Sequence, residues 1–501
     1  MVSDKELRAT RPAEPRQTPL SEVAGWLGVE ATDQSAVTGI SLSSHRVLPG
    51  DLYAALPGAR VHGASYAADA VAAGAVAVLT DEAGGALLAD LDIPVLVVDE
   101  PRARLGRLAA RLHDEPARSM RMIAVTGTQG KTTTTRLAEV ALQGAGVHAA
   151  VIGTVGTRLD GDEIKTSLTT PEAPDLHGLF AMMRERGVEA CAMEVSSHAL
   201  VMGRVDGVVF DVAVFTNLGR DHLDFHHDVE SYFAAKASLF TPERARLGLV
   251  NLDDEHGRRL LAEATIPMRS FSLVDPKADW RAVDIDLAPD GSSFTVVGPG
   301  DLRVRTSVPI PGDFNVANAL AAIAATAEVG YDVTTVAGAM ARGSGVPGRL
   351  EQVAVPHGYS VVVDYAHKPD AVEAALRTLR PLTDGQLIIV IGAGGDRDTG
   401  KRPVMGEIAA RLADVVIVTD DNPRSEDPAA IRSEVLAGTT AGPAEVLEIG
   451  NRREAIREAL ARARFGDIVL VAGKGHETGQ EVDGVVHPFD DREVVREEAT
   501  R

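Results

Sequence analysis

The run Thr126-Gly127-Thr128-Gln129-Gly130-Lys131-Thr132-Thr133 gathers residue types that hold phosphate. Gly127 and Gly130 let the backbone turn with its N–H groups inward, and a helix opening at Lys131 adds the partial positive charge of its N-terminus. Lys131 can reach β- and γ-phosphates, and the Thr132 hydroxyl can ligate Mg²⁺. The stretch departs from GxxxxGK[ST] only at its first glycine, where Val125 stands. The competing reading is a strand–helix turn with a chance lysine. It is the weaker one, because strand, loop and helix fall in register. ATP is therefore expected against Gly127, Thr128, Gln129, Gly130, Lys131, Thr132 and Thr133. Such a loop names no reaction, since kinases, transport ATPases and switch GTPases share it.

Three further side chains could serve a metal beside those phosphates. Glu194, closing the strand-like run Cys191-Ala192-Met193-Glu194-Val195, either holds Mg²⁺ or is a solvated strand-end carboxylate. His222, in Arg220-Asp221-His222-Leu223-Asp224, taken alone reads as a surface-loop histidine, with metal ligation the alternative. Lys236 sits in the Ala- and aromatic-rich run from Tyr232 to Phe240. Most lysines there snorkel to water. One held near bound Mg²⁺ in apolar surroundings would have a lowered pKa, and as a neutral amine could take up CO₂ as a carbamate.

These groups need a scaffold to converge. The strand Met122 to Val125 leads into the phosphate loop, and a helix follows with Leu137, Val140 and Ala141 on its buried face. Upstream, from about Leu20 to Arg118, short β-like runs (Ala75 to Leu79, Val95 to Val98) alternate with Ala-rich helical stretches, and Val47 to Gly58 reads as turn, strand, turn. Downstream, strands are expected at Ser360 to Asp364, Leu387 to Ile391, Val415 to Val418 and Ile468 to Val471. The helix Ala371 to Leu379 turns Val372, Leu376 and Leu379 to one side. That alternation predicts a doubly wound parallel sheet. Ligands then sit at the strands' carboxyl ends, here Asp364 to His367, Gly392 to Arg397, Asp420 to Arg424 and Gly473 to Glu477. The polar link His113 to Arg118 and the glycine cluster around Val346 suggest boundaries. The expected division is a loose tail over 1–19, then domains 20–118, 119–346 and 347–501.

Composition narrows the function. The chain has 501 residues with 50 basic and 72 acidic side chains, a formal net charge of -22. That field argues against nucleic acid or anionic lipid as partners, while a small phosphorylated ligand remains open to local loops and metal ions. The lone cysteine, Cys191, allows no internal disulfide. No apolar run approaches the ~18 residues of a membrane span, and the first 19 residues do not read as a signal peptide. A cytoplasmic protein is expected.

With Thr169-Thr170-Pro171, Met193 to His198, Thr216 to Asp224, Tyr232 to Lys236, Val346 to Glu351, Asp364 to Asp370, Gly394 to Asp398, Asp421 to Arg424 and Gly473 to Glu477, the chain resembles the Mur ligases from about Leu20 to its C-terminus. Within that family it resembles the members that add the third residue of the peptidoglycan stem peptide. The resemblance implies an α/β fold of three domains. A central P-loop ATPase-like parallel sheet is flanked by an α/β N-terminal domain for the UDP moiety and a Rossmann-like C-terminal domain for the incoming amino acid. It implies an ATP- and Mg²⁺-dependent monomer that joins meso-diaminopimelate to the D-Glu of UDP-MurNAc-L-Ala-D-Glu through an acyl phosphate. Carried over, Lys131 and Thr132 serve ATP and Mg²⁺, Glu194 and His222 bind Mg²⁺, and Lys236 is carbamylated. Asn318, Arg349, Asp364 and His367 complete the nucleotide site. Ser43, Ser44, Thr169, Thr170, Ser196 and Arg204 hold the UDP-MurNAc-dipeptide, while Arg397, Asp421, Asn422, Arg424, Gly473 and Glu477 receive the amino acid.

The implied chemistry has physical demands. A carboxylate attacking the γ-phosphorus brings two anions together, which requires Mg²⁺ and Lys131 as counter-charge. Diaminopimelate differs from lysine by a second carboxylate. Arg424, helped by Arg397, can bind it, while Asp421 and Glu477 can pair with ammonium groups. Where relatives commonly carry Asp-Ser-Arg this chain has Ser43-Ser44-His45. Met202, Gln129 and Lys368 likewise replace a glutamine, an asparagine and a threonine. The alternatives are a lysine-adding ligase, a folylpolyglutamate synthetase-like ligase and a P-loop ATPase that performs no ligation.

Overall fold

The computed structural model describes residues 10–159, 161–164, 166, 168–219, 221–440 and 442–500. Arg220 and the first nine residues of the expected tail lie outside them. The chain forms two compact units. The first comprises Met1–Arg281, Val297–Leu302 and Leu320–Ala339; the second comprises Ala282–Val296, Arg303–Ala319 and Met340–Arg501.

In the first unit, β1 (Gly39–Ser41), β2 (Asp51–Ala54), β3 (Ala77–Thr80) and β4 (Val95–Val97) form a parallel sheet in that order. Pro101 opens the helix α1 (Pro101–Leu112), whose Leu105, Leu108, Ala109 and Leu112 recur at helical spacing and are buried in the core against this sheet. The Ala75 run enters its strand two residues later than its composition suggests, because Gly74 turns the chain at positive φ.

A second, larger sheet carries the phosphate loop. β5 (Arg121–Thr126) feeds α2 (Lys131–Gly144), followed by β6 (Ala149–Gly153), α3 (Ala173–Glu185), β7 (Ala190–Glu194), β8 (Phe210–Phe215), α4 (Val229–Ala237), β9 (Ala245–Asn251) and β10 (Met268–Ser272). These strands run parallel in the order β6-β7-β5-β8-β9-β10. β5, nearly free of charge and buried along its length, takes the centre. The register sets Val125 beside both Glu194 and Val214, so three strand ends converge. Val140 is half-buried rather than fully buried, while Thr132 to Glu139 are all enclosed.

One expectation is corrected. From Thr10 the tail is not loose. Arg11 donates to the Ile40 carbonyl at 2.6 Å and pairs with Asp51 at 3.1 Å, and the N–H groups of Ala13 and Glu14 are taken by Glu185. Thr18–Pro19 then pair as a strand with Ala36–Val37. The polar link His113 to Arg118 is partly enclosed. His113, Pro116 and Ala117 are buried, and a 3₁₀ turn spans Pro116–Ser119.

In the second unit, β11 (Glu351–Val353), β12 (Ser360–Asp364), α5 (Pro369–Leu379), β13 (Leu387–Ile391), α6 (Lys401–Leu412), β14 (Val415–Val418), β15 (Glu445–Glu448) and β16 (Ile468–Ala472) build a sheet ordered β11-β12-β16-β13-β14-β15. It is parallel except for β11. Val372, Leu376 and Leu379 are buried as their spacing predicts. The last strand of this sheet, β16, inserts between β12 and β13, which sets Asp364 beside Ala472 at the carboxyl ends, the edge where such sheets bind ligands. A hairpin of β17 (Gly479–Val482) and β18 (Val485–Pro488) follows.

Candidate active site

The loop after β5 is built by its neighbours as much as by its own glycines. Gly127 has φ +148°, and a Cβ there would collide with the Thr216 hydroxyl. Thr216, just past β8, donates to the Gln129 carbonyl at 2.6 Å, and Asn217 Oδ1 accepts from Gln129 N at 2.9 Å. Thr128 Oγ1 accepts from Gly219 N at 2.9 Å and meets the Tyr232 hydroxyl at 3.2 Å. Asn217 and Tyr232 stood in quoted motifs without a role. A Thr-Asn pair at a strand end is a signal that could have found the first.

Lys131 folds back on this loop, its Nζ donating to the carbonyls of Gly127 (2.8 Å) and Thr128 (3.0 Å). Lys236 arrives from α4 and donates to the same Gly127 carbonyl at 2.8 Å, with Nζ 4.5 Å from the Tyr232 ring centroid. It does not snorkel: only 1% of it is exposed. Burial drives its amine well below the usual lysine range, Lys131 adds repulsion, and Asp221 opposes both.

Glu194 is 1% exposed, so the solvated alternative falls. Its carboxylate accepts from Thr154 N at 2.8 Å and from Thr154 Oγ1 at 3.1 Å. Around it lie the hydroxyls expected to hold the peptide. Thr169 meets Thr154 Oγ1 at 3.1 Å, Thr170 donates to the Glu194 carbonyl at 2.9 Å, and Ser196 N donates to Thr170 Oγ1 at 3.1 Å. Arg204 pairs with Glu172 at 2.9 Å. His222 has φ +54° and is half exposed, its ring edge-on to His198 at 4.7 Å and its Nε2 3.4 Å from Asp221. Among the described residues no three His, Cys, Asp or Glu side chains gather as a metal cage. That suits Mg²⁺, which binds through one or two carboxylates plus phosphate oxygens and keeps several waters. Glu194, with each carboxylate oxygen engaged by one donor, has lone pairs to spare.

Ser43 lines a cavity of about 210 Å³ with Thr10, Ser41, Arg46, Glu172 and Asp175, crossed by an Arg46–Asp175 pair at 3.0 Å. Ser44 is buried nearby in a 3₁₀ turn.

In the second unit, Arg349 lies 4.9 Å above the Tyr365 ring, Asp364 accepts from Leu350 N at 2.7 Å, and His367 Nδ1 meets the Tyr365 carbonyl at 2.7 Å. Asn318 is buried against Asn315. Asp421, Asn422 and Glu477 converge. Asn422 Nδ2 donates to Glu477 at 2.8 Å, and Gly473 (φ +117°) has room for no Cβ, which would lie 2.6 Å from Asp421 Oδ2. Arg424, at φ +54°, is gripped by the hairpin: its N donates to the Glu481 carbonyl at 3.0 Å and its side chain pairs with Glu481 at 3.3 Å. Arg397 stands apart, exposed and without a hydrogen bond or ion pair among the described residues. The sequence reading missed Lys474, buried between Asp421 and Glu477, and Arg452, buried against Asp491 at 2.7 Å.

Comparison with known proteins accords with this geometry. Three family profiles match: Mur ligase family, catalytic domain over residues 36–113, Mur ligase middle domain over 125–326, and Mur ligase, glutamate ligase domain over 348–475. The chain is 56% identical over 493 residues to the UDP-N-acetylmuramoyl-L-alanyl-D-glutamate--2,6-diaminopimelate ligase of Streptomyces avermitilis, covering 97% of each chain. To the protein of the same name from Corynebacterium glutamicum it is 50% identical, covering 93% of this chain and 92% of that one. A solved structure of a UDP-N-acetylmuramoyl-L-alanyl-D-glutamate--2,6-diaminopimelate ligase superposes with a TM-score of 0.71 at 34% identity, over 97% of this chain and 99% of that one. A folylpolyglutamate synthase from Mycobacterium tuberculosis shares the fold at a TM-score of 0.58 and 22% identity, over 74% of this chain and 92% of that one. The chain belongs to the Mur ligase family.

Proposed function

We propose that this protein is an ATP-dependent, ADP-forming ligase that joins an amine of meso-diaminopimelate to the D-Glu side-chain carboxylate of UDP-MurNAc-L-Ala-D-Glu, in peptidoglycan precursor synthesis. The observation that carries the reading is the near full-length likeness to diaminopimelate ligases at 56% and 50% identity. The geometry supports it at both ends of the reaction.

In this reading three domains divide the work at residues 20–118, 119–346 and 347–501, and the chain acts as a cytoplasmic monomer without nucleic acid, in keeping with its net charge of -22. The loop N–H groups and Lys131 take the phosphates of ATP, and Asn318, Arg349, Asp364 and His367 take the rest of the nucleotide. Thr132, Glu194, His222 and the Lys236 carbamate would hold Mg²⁺, which supplies positive charge against two converging anions. Lys236 is suited to that role because burial and the nearby Lys131 ammonium lower the pKa of its amine, which favours the neutral form that reacts with CO₂. Its nitrogen bonds to the carbon of CO₂, a proton leaves to water, and a buried amine becomes a carboxylate-like ligand.

Ser43, Ser44, Thr169, Thr170, Ser196 and Arg204 hold the acceptor so that its carboxylate faces the γ-phosphorus. A carboxylate oxygen bonds to phosphorus as the bond to ADP breaks. The diaminopimelate amine then bonds to the acyl carbon, phosphate leaves with that oxygen, and the amine loses a proton. Asp421, Asn422, Gly473 and Glu477 receive the amino acid's ammonium end. Arg424, with Arg397, faces the carboxylate that lysine lacks, which favours diaminopimelate over lysine.

The test measures phosphate release by purified protein with ATP and Mg²⁺, offering the UDP-MurNAc-dipeptide and one amino acid at a time. Release should require both substrates, with meso-diaminopimelate far ahead of lysine. Oxygen-18 placed in the D-Glu carboxylate should appear in the phosphate. Release indifferent to the substrates would instead mark a non-ligating ATPase.

A further inference from the structure

Lys474 is a buried cation to which the proposed reaction gives no task. Lys474, in the turn after β16, is 0% exposed. Its ammonium donates to Asn422 Oδ1 at 2.9 Å and lies 3.4 Å from both Asp421 Oδ1 and Glu477 Oε2. Asn422 Oδ1 also accepts from Glu481 N at 3.0 Å. Two donors thus hold the amide oxygen, which commits Asn422 Nδ2 to Glu477 Oε2 at 2.8 Å. Without Lys474 that amide would lose one of the two donors that set its orientation.

Charge tells the same story. Asp421, Glu477 and Asp491 are three carboxylates, and Lys474 and Arg452 are two cations among them. The Arg452 guanidinium donates to both Asp491 oxygens at 2.7 Å and to the Ala472 carbonyl at 3.0 Å. Among these five side chains the carboxylates outnumber the cations by one. Lys474 keeps the deficit at one; with two charges unmatched, Asp421 and Glu477 would repel each other.

We infer that Lys474 is a positioning residue for the incoming amino acid, orienting the Asn422 amide and spacing the Asp421 and Glu477 carboxylates for the substrate's ammonium. The inference rests on the proposed function. Failure of the unaltered protein to use meso-diaminopimelate would overturn that reading before any variant is made.

The test is steady-state kinetics on Lys474→Met with each of the three substrates varied in turn, alongside thermal melts. The expected result is a KM for meso-diaminopimelate raised about tenfold or more, with KM for ATP and for the UDP-MurNAc-dipeptide within about twofold of the parent. Because Lys474 works through its neighbours, Lys474→Met added to Glu477→Gln should raise that KM by no more than about twofold beyond Glu477→Gln alone. Should Lys474→Met lack a native melt, Lys474→Arg decides. It keeps the charge but not the reach, and should raise the same KM about threefold, again selectively. An unchanged KM in a natively folded variant, equal changes for all three substrates, or additive effects in the double variant would each overturn the inference.

Discussion

The loop around Gly127 and the cluster around Asp421 both bring buried cations to the carboxyl ends of parallel strands, and they treat the charge in opposite ways. At Gly127, Lys131 and Lys236 rest on one backbone carbonyl, and burial lowers the pKa of Lys236. At Asp421, Lys474 and Arg452 are answered by carboxylates. The first arrangement is held by dipoles and leaves positive potential for an arriving anion. The second is close to neutral and is held by ion pairs. Under the proposed function, a site that receives triphosphate can be made of backbone, and one that must tell a diamino diacid from a diamino monoacid needs side-chain charges placed against each other.

Exchanging each buried cation for methionine separates the two regions. Arg452→Met strands the wholly buried Asp491 and should cost about 3–5 kcal/mol, read as a lower midpoint in denaturant melts of the second unit. An unchanged midpoint would mean that the pairs there do not hold the fold. Lys236→Met should do the reverse. Turnover is expected to fall about a hundredfold or more, while stability drops by only about 1 kcal/mol, the worth of the one hydrogen bond that its Nζ gives to Gly127. Lys236→Ala, which leaves space, should regain part of its activity with added short-chain carboxylates.

Acid distinguishes the units next. His113 and His177, both in the first unit, are pushed by burial to about 3 and about 4, from an ordinary 6.5. The unfolded chain therefore binds protons below pH 6.5 that the folded chain refuses. Stability of the first unit should fall as pH drops from 6.5 towards 4, by about 1.4 kcal/mol per pH unit for each histidine. Melts at pH 7, 6 and 5 should show that slope, and His113→Asn with His177→Asn should flatten it. The smallest expected effect concerns Arg424, which Glu481 already engages at 3.3 Å. Freed by Glu481→Gln, it should lower the KM for meso-diaminopimelate about twofold, in line with a partly exposed pair worth under about 1 kcal/mol. No change would mean that Arg424 does not divide its charge between Glu481 and substrate.

Legibility in the sequence followed the range of the forces involved. The phosphate loop was readable because strand, glycines, lysine and helix are contiguous, although the Thr216 and Asn217 contacts that brace it come from 87 and 88 positions away. Four strands of the second unit's sheet, β12, β13, β14 and β16, were readable from runs of Val, Ile and Leu, whereas β11 and β15, which carry glutamates, were not. Lys236 was recognised only as a choice between solvent and interior, since nothing local says that the Gly127 carbonyl, 109 positions away, closes over it. Arg452 and Asp491, 39 positions apart, escaped altogether. Each is an ordinary surface-type residue on a helix until the strand order brings them together. Lys474 lay inside a quoted motif and was passed over because its flanking glycine and glutamate drew the roles. The N-terminal segment was misjudged for a related reason: its proline and charge content resembles a solvated tail, and only long-range partners such as Asp51 for Arg11 and Glu185 for Ala13 and Glu14 show otherwise.

That pairing bears on anyone shortening the protein for crystallography or biophysics. The first family match opens at residue 36, an inviting place to start an expression clone. Starting there would delete the guanidinium that compensates an aspartate almost wholly enclosed in the N-terminal sheet, together with the strand partner of Ala36–Val37. An affinity tag joined ahead of Thr10 leaves both intact.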